Sequence, residues 1–159
     1  MSMSHELRKG VKRMSTTEEE NKKQYRRTFE EVFNQGDLSI VDDLVTPDFL
    51  NHEVPPGMNN RGPESTRQTV RMLRTAFPDL HFTIEDLVAE GDTVAGRVTM
   101  SGTHLGPFQG IPATGRSLQQ AHMHFVRFRD GKAIEHQAVR DDLGMMRQLG
   151  VIAAPADAR

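Results

Sequence analysis

Seven histidines are the residues most able to do chemistry in this 159-residue chain. His122 and His124 stand two apart in a segment that reads as a strand, so both rings point to one face, with Gln120 on the same side. His136 lies on the next predicted strand, and the two strands form a hairpin that can bring the three imidazoles together. His52 follows Asn51 on an earlier predicted strand and could approach the same interior from across the fold. Imidazoles titrate near neutral pH, which suits proton removal beside a carbonyl. An enolate oxygen formed in that way needs hydrogen-bond donors, for which Gln120, Asn51 or a further imidazole qualify. On this reading His124 and His136 are the candidate acid/base residues, and His122, Gln120, Asn51 and His52 are candidate substrate contacts.

Two other readings remain open. A single histidine is more often a satisfied core or surface residue than a catalyst, since histidine is only intermediate in burial. A His-x-His strand plus a third imidazole could also hold a catalytic zinc, although no HExxH pattern or ligand-rich loop fixes a third position. Acid/base chemistry without metal or other cofactor ranks first. No GxSxG elbow, P-loop or dinucleotide-binding glycine pattern occurs.

Composition narrows the field further. With no cysteine, disulfides, thiolate nucleophiles and Cys-based metal sites are excluded. The formal charge of −2 with both signs mixed argues against a nucleic-acid surface. No apolar run approaches the length of a membrane span, and no secretory h-region is visible, so a cytoplasmic location is expected.

The elements that must position these residues can be read from periodicity. Residues 1–15 read as a disordered leader, 16–152 as one domain and 153–159 as a flexible tail. A helix is predicted over about 17–35, with Thr16 and Glu19 (or Thr17 and Glu20) as a capping box. Tyr25, Phe29, Val32 and Phe33 form its apolar stripe. Asp37 is expected to cap a short helix carrying Leu38, Val41 and Leu44, which Pro47 stops. Residues 49–57 read as a short strand running into a Pro/Gly loop, and a third helix opened by Gly62-Pro63 follows. From residue 80 the period drops from 3.6 to 2, giving four consecutive strands, the last two joined by a tight Asp130–Gly131 turn. A short closing helix carries Leu143, Met146 and Leu149, and Asp141 or Asp142 is expected to be its N-cap. Helices first and strands afterwards indicate an α+β fold: a cone-shaped, curved antiparallel sheet wrapped around the N-terminal helices and enclosing a pocket.

Three stretches resemble one known family. They are GTHLGPFQGIPATGR at 102–116, AIEHQAVRDDLGMMRQLGV at 133–151, and FNQGDLSIVDDLVTPDFLNHE at 33–53. Each is similar to a characteristic segment of the SnoaL-like polyketide cyclases and their ester cyclase relatives, and together they make roughly residues 20–151 resemble that family. The resemblance implies the cone of the nuclear transport factor 2 superfamily, commonly a homodimer through the sheet. It also implies cofactor-free intramolecular aldol closure of a polyketide ester, a small-molecule ligand. In the characterised cyclases an aspartate acid/base lies two residues beyond the histidine that matches His136. That position is Ala138 here, so the family's proton shuttle does not carry over. The family's substrate-contacting Gln/His pair falls at His122 and His124, and an early-strand polar contact falls near Asn51. A non-catalytic binding or assembly module on the same fold is therefore the main rival.

Overall fold

The computed structural model describes residues 16–156. The expected leader and the end of the tail lie outside the described residues. The elements are α1 (Thr17–Arg27), a π-helical continuation (Thr28–Asn34), α2 (Val41–Leu44), β1 (Val45–Asn51), α3 (Gly62–Ala76), β2 (His81–Glu90), β3 (Thr93–Thr103), β4 (Ser117–Arg129), β5 (Lys132–Arg140) and α4 (Asp142–Gln148).

The first helix starts where its cap chemistry dictates. Thr16 Oγ1 accepts from the Glu19 N–H at 3.2 Å, and Glu18, Glu19 and Glu20 complement the helix dipole in the first turn. Its second half is π rather than α, which the apolar stripe did not reveal. Tertiary bonds hold the wider turn in place. Arg74 Nη1 donates to the carbonyls of Phe33 and Asn34. The Asn34 side chain clamps β2, donating to Phe82 O at 2.9 Å and accepting from Phe82 N at 2.7 Å.

Asp37 does not cap α2. Its carboxylate accepts from the Ser39 N–H and hydroxyl instead, closing a local turn. Pro47 lies inside β1 rather than in the stop after α2. A proline is tolerated there because β1 is an edge strand, where one side of the ladder is unpaired.

The sheet order is β1-β5-β4-β3-β2. Four strands form the antiparallel meander expected from the change of period. β1, however, joins β5 in parallel, so the sheet is mixed rather than antiparallel. The β4–β5 turn uses Asp130 and Gly131 at φ 50° and 76°, the left-handed pair that a two-residue hairpin demands. Helix side chains Tyr25, Phe29 and Val32 pack with Phe82, Val98 and Met100 of the sheet in the buried core.

The 102–116 segment crosses the end of the cone and is pinned by His104, which is fully buried. Its Nδ1 accepts from the Thr114 N–H at 3.2 Å and sits 3.0 Å from the Thr114 hydroxyl. This histidine is structural. The outer face of the sheet leaves Val88, Met123, Phe125 and Val139 exposed.

Candidate functional site

The site grows from the alternation of β4. Leu118, Gln120, His122 and His124 are buried in alternation with exposed residues, and Phe128 is buried beyond them. Three consecutive inward positions are thus polar, which is costly unless each is hydrogen-bonded. Each one is. Gln120 Nε2 donates to Asp142 Oδ1 at 2.9 Å, and its Oε1 lies 2.9 Å from His122 Nε2. His122 Nδ1 is 3.1 Å from His124 Nε2. His124 Nδ1 is 2.8 Å from His136 Nε2, and His136 Nδ1 is 2.9 Å from Asn51 Oδ1. The result is an unbroken row from α4 through β4 and β5 to the end of β1.

The parallel β1–β5 pairing supplies one end of this row, since it sets Asn51 opposite His136. A register shift between Arg127 and Phe128 against β5 supplies the other adjustment. It turns both Ala133 and His136 into the cavity. Simple alternation would have grouped His136 with Ile134, and the bulge replaces Ile134 with Ala133.

The row lines a cavity of about 140 Å³ whose remaining wall is mainly apolar, including Phe29, Phe33, Met72 and Phe108. Phe29 meets the His124 ring edge-on with centroids 5.1 Å apart, and Phe82 meets His122 at 5.8 Å. This dry surround depresses all three pKa values. Desolvation, reinforced by the charge of Arg140, takes His122 down to about 3. Desolvation and Arg140 take His136 to about 4. His124 falls well below its usual value through burial first and then its two imidazole neighbours. All three are therefore neutral at pH 7.

The structure brings five of the six candidate residues together: Asn51, Gln120, His122, His124 and His136. His52 is not among them. It faces away, with Nε2 2.9 Å from Glu135 Oε1 at the exposed edge of the sheet. β1 ends at Asn51, and His52 lies in the turn just beyond it, where its ring is held outside by Glu135. Ala138 pairs with His124 across β4 and β5, which leaves a methyl group where the resemblance implies an aspartate. Among the described residues no set of three His, Asp or Glu side chains is arranged to hold a metal ion. The imidazoles aim at one another along a row, so the metal reading has no common coordination centre here.

Sequence reasoning missed three contributors. Asp142 anchors Gln120, while Asp141 is the α4 N-cap through Gly144 N at 2.8 Å. Arg140 lines the cavity and pairs with Glu53 at 3.2 Å. Tyr25 lines it with a buried hydroxyl that has no hydrogen-bond partner. Its ring is accommodated by Gly96, the partner of His124 on β3, where any Cβ would collide with the Tyr25 hydroxyl. The glycine opposite a histidine pair was the available signal for that contact.

Comparison with known proteins settles the lineage. The family model described as SnoaL-like polyketide cyclase matches residues 23–149. The chain belongs to the SnoaL-like polyketide cyclase family. Within this family it is 32% identical over 129 residues to the aklanonic acid methyl ester cyclase of Streptomyces peucetius, covering 78% of this chain and 87% of that protein. It is also 32% identical over 120 residues to the nogalonic acid methyl ester cyclase of Streptomyces nogalater, covering 75% and 90% respectively. Among solved structures, TsrD from Streptomyces laurentii superposes with a TM-score of 0.76 at 33% identity, covering 83% of this chain and 96% of TsrD. The SnoaL-like fold accounts for the α+β architecture, and no described helix is long and apolar enough to cross a membrane.

Proposed function

We propose that this SnoaL-like protein is a cofactor-independent acid/base cyclase or isomerase acting on a small, largely apolar carbonyl compound of polyketide type. The observation that carries the reading is the row of three neutral imidazoles set in a mainly apolar cavity. A neutral imidazole can take a proton from the carbon beside a carbonyl. The enolate then attacks a second carbonyl of the same molecule. A C–C bond forms, the electron pair moves to the second oxygen, and that oxygen receives the proton. Atoms balance without a cofactor, and product and substrate are isomers. His124 or His136 is the acid/base group, with His122, Gln120 and Asn51 orienting the substrate. The unpartnered Tyr25 hydroxyl supplies a further donor to an oxygen of the bound molecule.

The relatives named for aklanonic and nogalonic acid methyl esters give the compounds to assay first. The expected result is conversion to an isomer of unchanged mass, resolved by chromatography. His124→Ala combined with His136→Ala should lower kcat by about 10²–10⁴-fold, the usual worth of a positioned acid/base group. Turnover unchanged in that double variant would remove the histidines from the chemistry.

Ala138 favours a second reading, in which the same cavity binds such a compound without converting it. Saturable binding with no isomer formed by any tested methyl ester would select it. We propose further that the exposed apolar residues on the outer sheet face pair with a second copy, making the protein a homodimer.

A further inference from the structure

Both ends of the imidazole row are fixed as acceptors by groups that have no choice. At one end, the Asp142 carboxylate can only accept, so Gln120 turns its amide nitrogen to Asp142 and its oxygen to His122. His122 must then carry its proton on Nε2, which leaves Nδ1 as a lone pair. At the other end, the Glu53 backbone N–H donates to Asn51 Oδ1 at 3.0 Å, which fixes the same oxygen toward His136. His136 must then carry its proton on Nδ1, which leaves Nε2 as a lone pair. His124 therefore stands between two acceptors, His122 Nδ1 and His136 Nε2. A neutral imidazole has one N–H and can satisfy only one of them. The 2.8 Å contact to His136 is the shorter, and the 3.1 Å contact to His122 is left with a lone pair on each side.

Resting on the acid/base reading above, we propose that His124 is the base of this site, that Asp142 and Asn51 are positioning residues acting through its neighbours, and that the ligand is a neutral weak acid with a C–H or O–H to give up. The ligand's proton passes to the unprotonated His124 Nε2 and settles between that nitrogen and His122 Nδ1. The C–H or O–H bond breaks, an N–H bond forms on His124, and the electron pair stays on the ligand as an enolate or phenolate. Doubly protonated His124 then donates to both neighbours, so every nitrogen in the row has a partner. The new charge is offset by the ligand anion beside it, without which burial opposes it. The other charged or titratable groups facing the cavity are Arg140, Glu53 and Asp142, with the Tyr25 phenol kept protonated by burial.

The test is imidazole nitrogen NMR on the full chain labelled with 15N-histidine, at neutral pH and without substrate. The expected tautomers are Nε2–H on His122, Nδ1–H on His136 and Nδ1–H predominating on His124. Nδ1–H on His122 or Nε2–H on His136 would make the row an ordinary one-way relay and overturn the proposal. In Asp142→Ala, Gln120 is free to turn its amide, and His122 should switch to Nδ1–H; a purely electrostatic role for Asp142 predicts no such switch. Addition of 4-nitrophenol should place a proton on both His124 nitrogens and raise the phenolate absorption above that of the free compound in the same buffer, whereas 4-nitroanisole, which has no acidic proton, should do neither. An equal response to the two compounds, including none, overturns the ligand class. These readouts need no turnover, so they fail or hold independently of the cyclase assay.

Discussion

His122 and His124 are buried and His136 is half-buried, and desolvation holds all three neutral, which ties the site to the stability of the protein. In the unfolded chain these imidazoles accept protons near their ordinary value of 6.5, whereas the folded His122 and His136 wait until about 3 and 4. Between those limits the unfolded state binds more protons than the folded one. Stability therefore rises with pH through that window and levels off above about 6.5. A urea midpoint measured from pH 7.5 down to 5 should fall, and should fall less steeply in His136→Gln. A flat profile would show that the imidazoles are not desolvated. Gly96→Ala should destabilise by about 1–3 kcal/mol through overpacking against Tyr25, read as a lower melting temperature. Much of this residue-level picture is legible in the sequence, because β-strand alternation fixes the face of Gln120, His122 and His124 without reference to anything distant. Asp142 and Tyr25 were not legible, since Asp142 meets the row and Tyr25 the cavity from other elements. His52 was not legible either, because the strand ends at Asn51 and the turn beyond it sets the direction of the next ring.

Elements were readable where one local rule decides them and unreadable where tertiary contacts do. The Thr16 cap, the Gly62-Pro63 helix start and the Asp130–Gly131 hairpin all follow from side chains acting within a few residues. The π-helical stretch of Thr28–Asn34 does not, because the stripe of Tyr25, Phe29, Val32 and Phe33 fits an α-helix as well. Its register depends on Arg74 and on the Asn34 clamp, which bonds a residue 48 positions away. Wider helical turns of this kind concentrate at functional sites, and here the turn carries Phe29 onto His124. Asn34→Leu removes both clamp bonds and leaves the Phe82 backbone groups short of partners. It should cost about 2 kcal/mol in denaturant titration and perturb the His122 and His124 resonances through Phe82 and Phe29. Wild-type stability in that variant would mean water or neighbours replace the clamp.

At the scale of the whole molecule, the order of helices and strands was enough to reach an α+β cone, because segregated elements have few ways to cover one another. Strand direction at the edge was not, since nothing local to β1 says which way its partner runs. The outer face carries a prediction of its own. Light scattering at micromolar concentration should give twice the chain mass, and Phe125→Glu with Val139→Glu should give the chain mass with the fold retained. An unaltered dimer in that variant would place the interface elsewhere. The parallel edge has a consequence in time as well as in space. Asn51 and His136 are 85 residues apart in sequence, and closing so long a loop carries an entropic cost that hairpins such as β4–β5 avoid. The meander can zip locally during refolding while β1 docks afterwards. His122 and His124 would then be side by side on β4 before His136 acquires its amide partner, and ligand-binding competence should lag behind the recovery of sheet signal.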